Sequence, residues 1–165
     1  MKALKNTVCI LLCTILILTF ASCKSSKGNN APYTNLTIPA QNVMMADLDP
    51  VAAAKLLGDK TAIGKIFDSE SAFAAFAEQI DNSELCSTYN ADYFKNSDLI
   101  FAGVKTQSNV GLALTAVNLT GDVLTVTLEH IAADTDIADD IYIAVFIETE
   151  KLYAQGIKNV LVDVV

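Results

Sequence analysis

Nucleophilic catalysis would need a thiol and an imidazole in contact, and this chain offers one pair of residues of that kind, Cys86 and His130. His130 is the only histidine, and the alternation of the surrounding strand pattern places it on the same face as Leu128. Glu129 then points to the opposite face and is poorly placed to assist it. Because nothing in the sequence brings Cys86 and His130 together, we expect a buried thiol and a hydrogen-bonded histidine at the edge of the core.

A second group with chemical potential is the acidic segment of residues 134–140, which contains Asp134, Asp136, Asp139 and Asp140. Carboxylate oxygens are ligands that Ca²⁺ prefers, and calcium is available outside the cytoplasm. The segment lacks the central Gly and the final Glu of an EF-hand loop. Two interpretations therefore stay open: a solvated loop, which we expect, and a calcium site formed by these four aspartates.

The third reactive residue is Cys23, which follows an uncharged, apolar run over residues 8–21. Lys2 and Lys5 precede this run, so the segment has the positive start and the apolar length of an export signal. The run is too short for a membrane-spanning helix, which needs about 20 apolar residues. We therefore expect the chain to be exported, with Cys23 next to the cleavage site.

The four residues Phe20-Ala21-Ser22-Cys23 resemble the lipobox of bacterial lipoproteins, in which an aliphatic residue and two small residues precede the cysteine. Phe20 stands where Leu or Val is usual. The resemblance implies that residues 1–22 are a signal peptide and that the Cys23 thiol carries a diacylglycerol group. Two or more acyl chains anchor a protein stably. We expect the chain to be lipid-anchored at a bacterial cell membrane or outer membrane, facing the extracytoplasmic side.

The composition of the chain limits its partners. The formal charge is −8, all eleven basic residues are lysines, and Lys2 and Lys5 leave with the signal peptide. Such an acidic surface disfavours binding to nucleic acid or directly to anionic lipid headgroups. With Cys23 lipidated, Cys86 is the one thiol left after the signal peptide, so stability must come from packing rather than from disulfides.

Beyond the signal peptide, residues 23–35 are polar and predict a lipid-anchored flexible tether, and residues 36–165 predict a single domain. Asp49 followed by Pro50 predicts the start of a short helix. A main helix is expected to begin at Asp68 or Ser69. Its apolar residues recur at helical spacing and predict one face packed on a sheet: Phe73, Phe76, Ala77 and Ile80.

The remaining apolar stretches read as strands. Residues 99–105 are almost entirely apolar, as in a strand covered on both faces, whereas residues 123–131 alternate as in a strand with one buried face. The sequence therefore predicts the α+β class, with a mostly antiparallel sheet of about five or six strands packed against one main α-helix. The expected strands cover residues 61–67, 99–105, 110–118, 123–131, 141–148 and 157–165.

Several short motifs in residues 63–165 appear together in one known family: Phe67-Asp68-Ser69-Glu70 at the helix start, Tyr93-Phe94 before Asp98-Leu99-Ile100, and Leu124-Thr125-Val126 after the turn with Gly121. In these motifs the chain resembles the C-terminal domain of the bacterial protease-complex accessory family, whose members are protease stability proteins. The family usually has a Gly-Gly-aromatic stretch where this chain has residues 109–112. The resemblance implies an exported lipoprotein that assists or stabilises a secreted protease, and it implies no catalytic residue.

We therefore expect a non-catalytic accessory or binding domain, without a cofactor, whose partner is another exported protein such as a protease. The chain lacks a phosphate-binding loop and the HExxH, GxSxG and CxxC motifs. The alternative is a small-ligand or calcium-binding receptor, or an enzyme, with a pocket between the helix and the sheet.

Overall fold

Short apolar stretches separated by turns form eight strands, three α-helices and a 3₁₀ turn in the described part of the chain. The computed structural model describes residues 33–132, 138–151 and 156–165. The order of elements is β1 (Tyr33–Thr37), β2 (Asn42–Asp47), α1 (Pro50–Leu57), β3 (Ala62–Phe67), α2 (Glu70–Gln79), α3 (Leu85–Thr88), the 3₁₀ turn (Tyr93–Lys95), β4 (Ser97–Gln107), β5 (Val110–Gly121), β6 (Val123–Ala132), β7 (Asp140–Glu150) and β8 (Asn159–Val164).

The strands form two four-stranded sheets. The central sheet has the order β2-β7-β4-β3, and the outer sheet has the order β1-β5-β6-β8. Within the described residues, the strand pairs are antiparallel except for β6 with β8, which is parallel. Strand β7 lies between β6 and β8 in the chain but belongs to the central sheet, so the chain leaves the outer sheet and returns to it.

The two-residue period of strand β4 divides the interior into two cores. Leu99 and Phe101 pack against the helices, whereas Ile100 and Ala102 pack against the outer sheet. The protein therefore has three layers, in the order helices, central sheet, outer sheet. This arrangement confirms the prediction that residues 99–105 are covered on both faces.

The helices begin where their capping residues predict. Asp49 accepts hydrogen bonds from the backbone N–H groups of Val51 and Ala52, each at 2.9 Å, and α1 starts at the next residue, Pro50. Ser69 precedes α2. The predicted apolar stripe of α2 is buried against the central sheet, since its four members are at most 3% exposed: Phe73, Phe76, Ala77 and Ile80.

The α+β class is confirmed, but the prediction of one sheet of about five or six strands against one main helix is wrong. Two sheets of four strands and three short helices are present in the described residues. Strands β1 and β2 lie in a region where the sequence predicted no element. Alternation shows which side of a strand is buried, but it does not show to which sheet that strand belongs.

One lateral side of the sandwich is closed by contact between β3 of the central sheet and β8 of the outer sheet. A Cβ atom on Gly64 would overlap the side chain of Val160, so the approach of these strands requires glycine at position 64. This contact joins the edges of the two sheets without strand pairing.

Candidate functional site

The residues that the sequence marked for chemistry are only partly within the described structure. Cys23, the predicted lipidation site, lies outside the described residues, as do Asp134 and Asp136. The other two aspartates of the acidic segment, Asp139 and Asp140, are described and exposed. The full calcium site therefore stays a prediction.

Asp139 and Asp140 make contacts that stabilise the adjacent hairpin. The backbone N–H of Asp139 donates to Oγ of Ser108 at 3.1 Å, and the N–H of Ser108 donates to the Asp139 carbonyl at 2.8 Å. The Asp140 carboxylate lies 2.6 Å from the Lys105 ammonium, which raises the pKa of that lysine. In the described part of the chain, His, Cys, Asp and Glu form no group of three that could hold a metal ion.

Cys86 and His130 lie in different layers. Cys86 is half-buried in α3 and packs on the core beneath the helices. His130 lies in β6 of the outer sheet, opposite Leu112, and its side chain is exposed. The face expected for His130 is correct, since Leu128 on that face is buried, but the strand extends beyond the core. The structure does not bring the two residues together, because the central sheet lies between them.

A polar cluster that the sequence did not predict lies at one end of the central sheet. Asp98 of β4 is fully buried, and its carboxylate lies 3.0 Å from the ammonium of Lys151. The same ammonium donates to the carbonyls of Asp68 at 2.8 Å and Phe94 at 3.0 Å. Lys151 therefore links β3, the 3₁₀ turn and β4 at this end. The available signal was a carboxylate at the start of an apolar strand.

The helix-facing side of the same end contains two tyrosines and a glutamate. The hydroxyl of Tyr89 donates to the Glu148 carboxylate at 3.2 Å, and the hydroxyl of Tyr93 donates to the Asp98 carbonyl at 3.1 Å. Burial, reinforced by the charge of Glu148, raises the pKa of both phenols well above the ordinary value. These groups hold their protons firmly, so the arrangement favours structural hydrogen bonding over general base chemistry.

An accessible backbone surface lies at the opposite end of the central sheet's strand order, along β2. This strand pairs with β7 over six consecutive residues without a bulge, and its other edge has no partner strand among the described residues. Val43 and Met45 are 36% and 40% exposed, and Asp47 supplies the one charged side chain of the strand. Such an edge can accept another extended segment through main-chain hydrogen bonds.

The geometry defines the protein as a three-layer α+β domain with an accessible strand edge. No helix in the described residues has the length and apolar character of a membrane-spanning segment. No protein-family model matches the chain. No curated protein and no solved structure matches it.

Proposed function

We propose that this chain is a lipid-anchored accessory domain, held on the extracytoplasmic side of a bacterial membrane through Cys23, that binds another exported protein. The observation that carries the proposal is the segment ending in Phe20-Ala21-Ser22-Cys23, which combines a positive start, an apolar run, two small residues and a cysteine. Each buried acyl CH₂ contributes about 0.8 kcal/mol, so one chain of roughly fourteen such groups supplies on the order of ten kcal/mol. The acidic chain offers no polybasic patch that could replace this anchor.

A protease is the partner class that we propose first. Its support is the resemblance of residues 63–165 to the C-terminal domain of the bacterial protease-complex accessory family, together with the open strand edge at β2. Exported proteases present extended segments, and an unpaired strand edge binds such segments by adding them to a sheet. The proposed role is to hold or stabilise the protease at the membrane rather than to cleave a substrate.

The anchor is tested by metabolic labelling with a fatty-acid analogue. Wild-type chain should incorporate the label, and Cys23→Ser should not, because a hydroxyl at this position does not accept the diacylglycerol group. Cys86→Ser is the matched control and should keep the label. An unlabelled wild-type chain, or a labelled Cys23→Ser chain, contradicts the anchor.

The partner is tested by mild crosslinking in intact cells, followed by affinity purification of the full chain from detergent extracts. We expect one exported protein to be recovered in stoichiometric amount and its half-life to shorten when the chain is deleted. Recovery of no exported protein under crosslinking contradicts the binding role. Recovery of a partner that is not a protease contradicts the partner class alone.

The alternative of a ligand pocket between helices and sheet receives no support from the packing there. Phe73 lies at the centre of this space, with its ring centroid 5.5 Å from that of Phe67, 5.2 Å from Tyr89 and 6.5 Å from Phe146. Aromatic side chains therefore fill the region where the alternative would place a ligand.

A further inference from the structure

Three of the four edge strands carry protection against pairing with another chain. Strand β3 has Lys65, whose ammonium lies 4.6 Å from the ring centroid of Phe76, and its Gly64 contacts Val160 of β8. Strand β8 has Asp163 in an exposed position. Strand β1 is short, and its register with β5 is interrupted between Tyr33 and Leu36. Charge, cover and irregularity of this kind block edge-to-edge association.

Strand β2 lacks all three forms of protection. Its six residues, NVMMAD, contain no lysine and no proline, and their register with β7 is continuous. Val43 and Met45 lie opposite Ile147 and Val145, on the face that looks toward the outer sheet, yet both remain exposed because they lie at the edge. The edge is therefore apolar, regular and uncovered within the described residues.

The hydrogen bonds of β2 show which of its backbone groups point outward. The N–H of Leu48 donates to the carbonyl of Tyr142 at 2.9 Å, and Asp47 lies opposite Ile143. Backbone groups of an antiparallel strand alternate in direction, so the even-numbered residues of β2 face β7. The N–H and C=O groups of Val43 and Met45 accordingly face away from the sheet.

We propose that β2 pairs antiparallel with β2 of a second copy of this chain, with Met44 of one copy opposite Met44 of the other. A two-fold axis perpendicular to the sheet keeps each side chain on its own face, so residue numbers in opposing pairs must add to an even number. Centring on Met44 places Val43 opposite Met45 of the second copy, which brings the exposed apolar side chains together. Asp47 then lies opposite the uncharged Gln41 of the second copy.

The neighbouring register is less complementary. Centring the axis on Met45 would place Val43 opposite Asp47 of the second copy, an apolar side chain against a carboxylate. The Met44-centred pairing joins the two central sheets into one eight-stranded sheet and leaves no open β2 edge, because an isologous contact closes on itself. The pairing needs the described strand alone, so it does not depend on the proposed anchor.

The test is disulfide crosslinking of the full chain in intact cells, in a Cys86→Ala background, read on non-reducing gels. Residues that oppose themselves without hydrogen bonding have Cα atoms about 4.5 Å apart, within the range of a disulfide, about 4.4–6.8 Å. We expect Met44→Cys to give at least tenfold more dimer than Val51→Cys, which places a thiol on the exposed start of α1. Met45→Cys should resemble Val51→Cys, because its thiols would be too far apart.

Each outcome decides the proposal. A predominant Met44→Cys dimer supports it, whereas an equal or larger Met45→Cys dimer overturns the register. Dimer at the Val51→Cys level for both strand variants, or a crosslink to a different protein alone, overturns pairing with a second copy. The proposed function would survive these results, because labelling at Cys23 and recovery of an exported partner are separate measurements.

A second pair of variants guards against damage to the core by Met44→Cys. Differently tagged chains with Val43→Cys and Met45→Cys should form a mixed disulfide when expressed together, because these positions oppose each other. Adding Met45→Pro to the Met44→Cys chain should reduce its dimer to the Val51→Cys level, since proline removes an outward-facing N–H that β7 does not use. A mixed pair that forms no disulfide, or a dimer that survives Met45→Pro, contradicts the pairing.

Discussion

The two cores on either side of the central sheet are built from different side chains. The core beneath the helices is rich in aromatic residues, including Phe67, Phe73, Phe76, Tyr89, Phe94, Phe101 and Phe146. The buried members of the core between the two sheets are all aliphatic: Ile38, Ile100, Ala102, Val104, Leu112, Val117, Leu119, Leu124, Val126, Leu128, Val145 and Ile147. Strands β4 and β7 contribute to both cores through alternate residues.

This difference follows from the shapes of the surfaces being joined. Short helices crossing a sheet leave irregular gaps, and large rings fill them in edge-on contacts, as for Phe73 with Tyr89 at an interplanar angle of 80°. Two sheets face each other at about 10 Å, a spacing that branched aliphatic side chains fill by interdigitating. The helix layer therefore depends on a few large residues, whereas the sandwich depends on many small contributions.

The largest effect is expected for Phe73→Ala, because Phe73 is fully buried at the centre of the aromatic core. We expect the free energy of unfolding to fall by about 4 kcal/mol, measured by urea denaturation. Phe73→Leu is the matched control and should recover about half of that loss by refilling part of the cavity. A loss below about 2 kcal/mol for Phe73→Ala would contradict the central role of this ring.

The matching truncation in the aliphatic core is Leu124→Ala. Leu124 is also fully buried, but it is one of twelve buried aliphatic members, whose neighbours are small and can relax toward the space. We expect a loss of about 3 kcal/mol, smaller than for Phe73→Ala, in the same denaturation assay. A larger loss for Leu124→Ala than for Phe73→Ala would show that the sandwich, not the helix layer, is the more sensitive core.

The next effect concerns the buried charge at the end of the central sheet. By alternation Asp98 shares the face of Ile100, and Lys151→Met would leave its carboxylate without the ammonium at 3.0 Å. Loss of one partner of a fully buried pair costs about 3–5 kcal/mol, but Lys151 is 40% exposed, so we expect about 2 kcal/mol.

The control for this variant is Lys95→Met, which breaks a surface pair with Asp92 and should leave the denaturation midpoint unchanged. Asp98→Asn combined with Lys151→Met should restore part of the stability, because no buried charge then remains. If the double variant is as unstable as Lys151→Met alone, the buried charge is not the cause of the loss.

Local pattern was enough to predict the elements that lie against both cores. The apolar run at residues 99–105 and the α2 stripe beginning at Phe73 were predicted from spacing, because burial on a strand or a helix has a fixed period. The link between Asp98 and Lys151 was not predictable in this way, since 52 residues separate them in the chain. The pairing of β2 with β7 depends likewise on long-range register, which alternation within one strand does not specify.

The smallest effect at neutral pH, but the one with the clearest pH signature, involves Tyr89 on the aromatic side. The hydrogen bond from its hydroxyl to Glu148 is long at 3.2 Å, so Tyr89→Phe should cost about 1 kcal/mol or less at pH 7. The ordinary pKa of a tyrosine is 10.0, and the folded pKa of Tyr89 is higher because of burial and the nearby Glu148 charge. Below pH 10 the phenol is neutral in both states and its contribution to stability is complete.

As the pH rises above 10, the unfolded state loses the phenolic proton while the folded state retains it, so unfolding becomes progressively easier. Tyr93 has the same shift and should add to this effect. We expect the wild-type denaturation midpoint to fall more steeply between pH 9.5 and pH 11 than that of the Tyr89→Phe/Tyr93→Phe double variant (about these values, from the ordinary tyrosine pKa). Parallel pH profiles for the two proteins would show that neither phenol is held protonated by the aromatic core, whereas a flatter variant profile would assign the alkaline sensitivity to this side of the central sheet.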